Sequence, residues 1–188
     1  MQEETNNYAQ AEASYTEALQ IRRELAAKNP QAYLPYVAGT LNNLGILQAE
    51  TNDYPQAEAS YTEALQILRE LAEKNPQAYL PYVAGTLNNL GNLQADNHDY
   101  PQAEASYTEA LQIRRELAGK NPQAYLPDVA QTLVNLSLFY KDDTPDKAKF
   151  LPYAKEAIEV LKRCNDTPYV QEQLGKANRV IAYWKRKN

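Results

Sequence analysis

The chain contains 188 residues, of which 44% are apolar, and carries a formal net charge of −5. That apolar content suffices for a continuous core, yet no apolar run approaches the roughly 20 residues that span a bilayer, so we expect no membrane segment. The acidic balance argues against a nucleic-acid or anionic-membrane surface, because such surfaces depend on clustered Lys and Arg. The lone Cys164 excludes an intrachain disulfide and fits a reducing compartment, which favours a cytoplasmic location.

A repeat of 46 residues organises most of the chain. The segments 7–52 and 53–98 agree at 38 of 46 positions, and a third copy from Asp99 holds through about Leu136. A fixed period in the range of about 20 to 50 residues is typical of a stacked array, in which each unit buries its apolar face only against its neighbours.

The register of the first copy indicates where the chain starts within the repeat. Residues 2 and 4–6 repeat residues 48 and 50–52, which close a helix in the next copy. We therefore expect the chain to start inside a unit, after a missing helix, and to be a piece of a longer array. A natural start at half a unit is the alternative.

Each period is predicted to form two helices, and the first of them is helix A. From Pro35 to Glu50 the apolar residues recur at steps of four, three and three, which is one face of an α-helix. These residues are Val37, Leu41, Leu44 and Leu47. Proline suits the first turn, where its missing N–H leaves no hydrogen bond unmade.

The second helix, helix B, is predicted from Tyr54 to Lys74, after a polar loop at residues 51–53. Its packing side carries Ala57, Tyr61, Ala64, Leu65, Leu68 and Leu71. Asn75-Pro76 is predicted to end it, because the residue before a proline disfavours the α region. Gln77 to Leu80 is then predicted as a short turn to the next helix A.

The last helix B departs from this pattern. Thr144-Pro145 can start it, but Pro152 falls inside it, and an interior proline removes a hydrogen bond. We therefore predict a bend or break near Leu151.

A capping helix is predicted to follow from Thr167-Pro168. Its apolar stripe is Val170, Leu174, Ala177, Ile181 and Trp184. Residues 1–165 are thus predicted to form the repeat array and residues 166–188 the cap, with Trp184 as a packing anchor. One apolar and one polar face are what an array needs to end in water.

The spacing of several motif residues resembles that of a known repeat family. They are Leu44-Gly45 in helix A, Asp53-Tyr54 at the start of helix B, and Ala57, Tyr61 and Ala64 within it. Together they resemble the tetratricopeptide repeat, over about residues 7 to 163. The long period is similar to the extended repeats of kinesin light chains and their bacterial relatives. The resemblance implies an all-α, right-handed superhelical solenoid of antiparallel helix pairs that binds proteins.

Differences between the copies predict a candidate binding surface on helix A. They recur at positions 36, 39, 42 and 46 and at the equivalents of these positions in the next copies, which form one helical stripe. In the tetratricopeptide family this face lines a concave groove that binds peptides, which implies a protein or peptide partner. The unchanged Asn43, Asn89 and Asn135 lie beside the stripe, and such amides can hold an extended peptide backbone.

The candidate peptide-binding residues are Asn42, Asn43, Asn88, Asn89, Asn92, Val134, Asn135 and Leu138. In the alternative interpretation, the asparagines are merely solvated and the differences in the third copy reflect packing near the cap. A second function class also stays open, namely a structural or self-assembling array, natural or engineered, with no peptide ligand.

Catalysis is not predicted. Nucleophile and base chemistry usually needs His, Cys or convergent carboxylates, and the chain has one histidine, His98, and one cysteine. No spacing suggests a metal site, and no glycine-rich phosphate loop is present. We therefore expect a non-enzymatic scaffold without cofactors.

The first helix B predicts a second surface, for self-association. It lacks the helix A that should cover Ala11, Tyr15 and Ala18. Because an exposed apolar strip promotes association, we expect a weak homo-oligomer through these residues.

Overall fold

The computed structural model describes residues 2–186, and the side chains of residues 7–146 and 148–186. All regular structure in this described part is α-helical. The helices are α1 (Gln2–Lys28), α2 (Pro30–Glu50), α3 (Tyr54–Lys74), α4 (Pro76–Asp96), α5 (Tyr100–Lys120), α6 (Pro122–Asp142), α7 (Lys147–Leu161) and α8 (Pro168–Arg186). The prediction of an all-α array of helix pairs is confirmed, and α2, α4 and α6 are its helices A.

Helix A begins five residues earlier than the sequence pattern predicted. α2 starts at Pro30 because Asn29 caps it, with the Ala32 N–H donating to Asn29 Oδ1 at 3.3 Å. Pro35 therefore lies inside the helix, where its ring nitrogen removes a single hydrogen bond. For the same reason the turn predicted at Gln77 to Leu80 is wrong, since this segment belongs to α4.

Single asparagines join each helix B to the next helix A. The backbone N–H of Asn75 donates to Leu71 O at 2.9 Å and closes α3. Its side chain accepts the Ala78 N–H at 3.3 Å and opens α4. Asn121 has the same two roles between α5 and α6. One residue thus ends one helix and starts the next.

The other connection, from helix A to helix B, contains a left-handed residue. Asn52 and His98 both have φ of 61°. Asp53 follows Asn52 and caps α3, accepting the Gln56 N–H at 3.4 Å. The predicted helix B from Tyr54 to Lys74 is confirmed by α3.

The first copy lacks this break. α1 runs without interruption from Gln2, six residues before Tyr8, which is the equivalent of the helix B start at Tyr54. Ala9 stands where later copies have Pro55 and Pro101. Alanine is the best helix former and keeps its N–H, whereas a proline removes the hydrogen bond that continues a helix towards its N-terminus.

The chain divides after Leu93 into two compact units. In the first, α2 packs against both α1 and α3. The buried core includes Leu19, Ala26, Val37, Leu41, Leu44 and Ala64. Gly45 allows the close approach of α3, because a Cβ there would lie 2.7 Å from the Tyr61 ring.

In the second unit, α6 packs against α5, α7 and α8. α7 is one helix through Pro152, so a break near Leu151 is excluded, while a bend there stays a prediction. Like Pro35 in α2, this proline is the sixth residue of its helix and removes one hydrogen bond near the helix start. α7 also starts at Lys147, later than the predicted Thr144-Pro145.

The capping helix α8 begins as predicted. Thr167 accepts the Val170 N–H through Oγ1 at 3.2 Å. Trp184 packs edge-on against Phe150, with ring centroids 6.1 Å apart, so its predicted role as a packing anchor is confirmed. The division into an array at 1–165 and a cap at 166–188 stays a prediction.

Candidate peptide-binding surface

A solvent-facing stripe runs along the helix A surface of the first unit. We call it the outer stripe, and its members are Tyr36, Gly39, Asn43 and Ile46 on α2 and Tyr82, Gly85, Asn89 and Asn92 on α4. The two tyrosines are 58% and 63% exposed. A Cβ placed on Gly39 or Gly85 would meet no atom within 4 Å, so the surface beside each ring is open.

The asparagines predicted to bind peptide do not share one environment. Asn43 and Asn92 are exposed, and Asn42, Asn89 and Asn135 are half-buried. Asn88 is only 2% exposed and thus lies beneath the surface. In this structure Asn88 could influence a ligand only through its neighbours.

Asn42 uses its side chain to join two helices. Its Oδ1 accepts hydrogen bonds from Thr86 Oγ1 at 3.0 Å and from Asn89 Nδ2 at 3.3 Å. These bonds connect α2 to α4. The part of the asparagine ladder formed by Asn42 and Asn89 therefore has a structural role in addition to any binding role.

In the second unit, the predicted pocket residues Val134 and Leu138 differ from each other in burial. Val134 is fully buried and belongs to the core, whereas Leu138 is half-buried and packs against its edge. Of the two, only Leu138 reaches the surface.

The sequence interpretation missed a buried arginine that contacts two of the differing positions in the third copy. Arg114 is 6% exposed. Its Nη1 donates to Asp128 O at 2.9 Å, to Gln131 Oε1 at 3.2 Å and to Thr132 Oγ1 at 2.6 Å. Burial lowers the pKa of Arg114, and the nearby Asp128 carboxylate opposes this effect.

The same position differs between copies, which was the available signal. Arg22 occupies it in α1 and donates through Nη1 to Tyr36 O and Thr40 Oγ1. Leu68 occupies it in α3 and is buried. The Gln131 side chain thus contacts the buried Arg114, which favours the packing interpretation at this position.

The described residues offer no metal site and no membrane span. No group of three or more His, Cys, Asp or Glu among them could hold a metal ion. No helix in the same part of the chain is long and apolar enough to cross a membrane.

Paired helices joined by short corners, with a repeated buried serine–glutamine hydrogen bond between neighbouring helices, define a tandem helical-repeat protein. Comparison with protein families identifies the repeat, because the tetratricopeptide repeat model matches residues 37–77 and 83–124. These two segments match the tetratricopeptide repeat, which confirms the resemblance predicted from the sequence. Repeats of this family generally mediate protein–protein interaction, and proteins that carry them are typically non-catalytic scaffolds.

Solved structures and curated proteins were compared as well. One similar structure is the crystal structure of BtubC (BKLC) from P. vanneervenii, at 18% identity and a TM-score of 0.47, covering 95% of this chain and 90% of that chain. No curated protein matches the sequence.

Proposed function

We propose that this chain is a non-catalytic scaffold whose outer stripe binds an extended peptide segment of a partner protein. The observation that carries the proposal is the pair of exposed tyrosines, Tyr36 and Tyr82. Each has a glycine three residues later in its helix, and the space above that glycine is open. Tyrosine combines a large apolar area with a polar tip and loses little conformational entropy on binding, so it favours interfaces.

The remaining stripe residues suggest how a peptide is held. The exposed Asn43 amide offers two donors and one acceptor to a peptide backbone, whose hydrogen bonds do not depend on sequence. Ile46 and Asn92 occupy equivalent positions but differ in polarity. The asparagine amides would therefore bind the backbone of any peptide, and the position of Ile46 and Asn92 would select which peptide side chains are accepted.

A peptide display selection against the full chain tests the proposal. Asn43→Ala with Asn89→Ala, and separately Tyr36→Ala with Tyr82→Ala, are expected to weaken each recovered ligand about tenfold or more, as for central interface residues. Asn178→Ala on exposed α8 is the matched control and should leave affinity unchanged.

Circular dichroism of each variant separates lost contacts from lost structure, because Asn89 also bonds to Asn42. If folded Asn43→Ala, Asn89→Ala chains kept full affinity for every recovered peptide, the assignment to the outer stripe would be wrong.

The alternative function, a structural or self-assembling array, is favoured by a different observation. Ala11, Tyr15 and Ala18 are half-buried in α1, while the equivalent residues of α3 and α5 are buried. A weak homo-oligomer through this strip stays a proposal, as do the absence of nucleic-acid and membrane binding and the cytoplasmic location. Light scattering over a concentration series tests the oligomer, and a strict monomer at high concentration would exclude it.

A further inference from the structure

Two glycines of the outer stripe have no packing role in the fold. Gly39 and Gly85 lie inside α2 and α4, where a glycine costs about 0.5–1 kcal/mol relative to alanine. A Cβ at either position would meet no atom within 4 Å. Gly45 in α2 is the contrast, because a Cβ there would lie 2.7 Å from the Tyr61 ring. The two stripe glycines therefore keep open a space that the fold itself does not use.

Each open space lies one helical turn from an exposed tyrosine. Tyr36 and Tyr82 precede the glycines by three residues, and residues three apart share a face of an α-helix. Both tyrosines are exposed. A ring of a partner can therefore lie against the tyrosine ring and above the glycine without meeting a Cβ of the helix.

The sequence segments that form the stripe carry no charge. Residues 30–49 and 76–95 contain no Asp, Glu, Lys, Arg or His. The helix between them, α3, carries Glu58, Glu63, Arg69, Glu70, Glu73 and Lys74. The cores of protein interfaces are depleted of charged residues and enriched in tyrosine. A charged partner side chain would lose hydration on the stripe without gaining a counterion, so we expect the bound segment to be uncharged.

Arg22 of α1 approaches the stripe at one end. Its guanidinium carbon lies 5.8 Å from the centroid of the Tyr36 ring, and its Nη1 donates to Tyr36 O and to Thr40 Oγ1. The equivalent residue of α3 is the buried Leu68. The charge is thus absent from the copy that presents Tyr82, and recognition shared by both tyrosines does not depend on it.

The two helices of the stripe are directly bonded to each other, which limits the spacing of their tyrosines. Asn42 Oδ1 accepts from Thr86 Oγ1 at 3.0 Å and from Asn89 Nδ2 at 3.3 Å. The axes of helices in such contact lie about 8–10 Å apart. A polyproline II helix presents the same face every three residues, after about 9.3 Å. A β-strand does so after about 6.6 Å and one α-helical turn after about 5.4 Å, so polyproline II fits best.

We infer that the partner segment held by the outer stripe is an uncharged, proline-rich segment in the polyproline II conformation, an inference that rests on the proposed function. It crosses α2 and α4 with prolines three residues apart on Tyr36 and Tyr82. Polyproline II makes no internal hydrogen bonds, so its carbonyls are free to accept from the exposed Asn43 amide. The segment is already extended before binding and therefore loses little conformational entropy.

Labelled dodecaproline is the direct probe, and fluorescence anisotropy with the full chain measures its affinity. We expect saturable binding with a dissociation constant below about 1 mM. A Gly-Ser peptide of the same length is the control for a flexible chain and should not saturate. Raising sodium chloride from about 0.05 to about 0.5 M should change the affinity by less than about twofold, because no charges meet in the contact.

Two glutamate-containing peptides of identical composition test the three-residue period. In a repeat of Pro-Pro-Glu, all glutamates lie on one ridge of the polyproline II helix and can face solvent. Its affinity should stay within about threefold of that of dodecaproline. An isomer with the glutamates spread over all three ridges must put carboxylates on the stripe and should bind at least about tenfold more weakly. Equal affinity of the two isomers would overturn the inference.

Protein variants assign the contact to the stripe. Gly39→Ala with Gly85→Ala fills the open spaces and should weaken dodecaproline binding at least about threefold while raising the melting temperature. A loss of affinity together with a gain in stability cannot result from unfolding. Tyr36→Ala with Tyr82→Ala should weaken binding about tenfold or more. Asn178→Ala on exposed α8 is the matched control and should leave the affinity unchanged.

Failure of this inference is distinguishable from failure of the proposed function. Displayed peptides that need Tyr36 and Tyr82 but carry charges or lack proline would overturn the inference and leave the peptide-binding function standing. Dodecaproline that does not saturate up to about 1 mM would overturn it as well. Dodecaproline binding that survives both the tyrosine and the glycine variants would lie outside the outer stripe and count against both proposals.

Discussion

Thr86 and Asn42 are joined by a 3.0 Å hydrogen bond that connects α4 to α2. The equivalent threonines in the other copies bond differently, since Thr40 accepts from Arg22 and Thr132 accepts from Arg114. The middle copy has Leu68 in place of the arginine. The partner of this threonine therefore depends on the residue at the arginine position of helix B. Where that residue is arginine, the threonine accepts from the guanidinium, and where it is Leu68, the threonine donates to Asn42.

Replacing Arg114 tests whether the buried guanidinium stabilises the fold. Its Nε is buried without a hydrogen-bond partner among the described residues. Leucine already occupies this position in α3, so Arg114→Leu is expected to change the free energy of unfolding by less than about 1.5 kcal/mol. Arg114→Ala should cost about 2 kcal/mol or more, because it leaves a cavity. Urea unfolding distinguishes the two, and equal losses would show that the charge itself is required.

Glycine at position 45 is predicted to be irreplaceable for a steric reason. Gly45→Ala puts a Cβ 2.7 Å from the Tyr61 ring and should destabilise the chain by about 1–3 kcal/mol. Gly39→Ala is the matched control in the same helix, where the Cβ meets nothing within 4 Å. Removing that helical glycine should stabilise by about 0.5–1 kcal/mol. Thermal unfolding should give a lower melting temperature for Gly45→Ala and a higher one for Gly39→Ala. An unchanged melting temperature for Gly45→Ala would mean that α2 and α3 can move apart at little cost in free energy.

Two equivalent serines should differ in their effect on stability. Ser60→Ala leaves Gln48 Oε1 without its buried donor and is expected to cost about 1–3 kcal/mol. Ser14→Ala removes only an exposed bond to its own helix and should be within about 0.5 kcal/mol of neutral. Chemical denaturation checks the contrast. Similar losses at both positions would show that the buried Ser60–Gln48 hydrogen bond does not account for the contrast.

Two acidic groups in the second unit should give stability profiles with opposite pH dependence. Burial, assisted by Asp142 and Asp96, raises the pKa of Asp143. Its folded pKa thus exceeds the unfolded value, so the stability it contributes is present below about pH 3.9 and is lost as pH rises through the folded pKa. Asp143→Asn should therefore raise the melting temperature at pH 7, and the gain should disappear at pH 3.

Glu104 provides the reverse case. The Lys149 ammonium, 2.8 Å from its carboxylate, lowers the pKa of Glu104. The stability it contributes is present above the unfolded value near pH 4.3 and is lost as pH falls through the folded pKa. Glu104→Gln should lower the melting temperature slightly at pH 7, because the pair is exposed, and have no effect at pH 3. Parallel curves for both variants would contradict these assignments.

The sequence predicted both boundaries of α3 because they depend on local chemistry. Asp53 and the residue before Pro76 set the limits of α3, and both features are visible in the sequence. The start of α2 was missed because Pro35 and Pro30 both suit a helix start, and only the cap at Asn29 decides between them.

The candidate surface was less predictable, because burial depends on neighbouring helices. Asn42 and Asn43 are adjacent and chemically identical, yet one bonds to α4 and the other faces solvent. Val134 and Leu138 are one helical turn apart, and only the first is fully buried. Of the differing positions on α2, residues 36, 39 and 46 are solvent-exposed, whereas Asn42, about 100° of rotation from Asn43, is half-buried.

Asn75 limits how the array can change in length. Because it closes α3 and opens α4 by itself, that corner has no spare residue. One inserted residue there would rotate every side chain of the following helix by about 100°, turning polar residues towards the core. The three-residue corner at 51–53 has a left-handed residue and solvent-exposed side chains, so it could absorb an insertion. A tag, loop or evolutionary insertion should therefore be tolerated at one of the two corners in each repeat and rejected at the other.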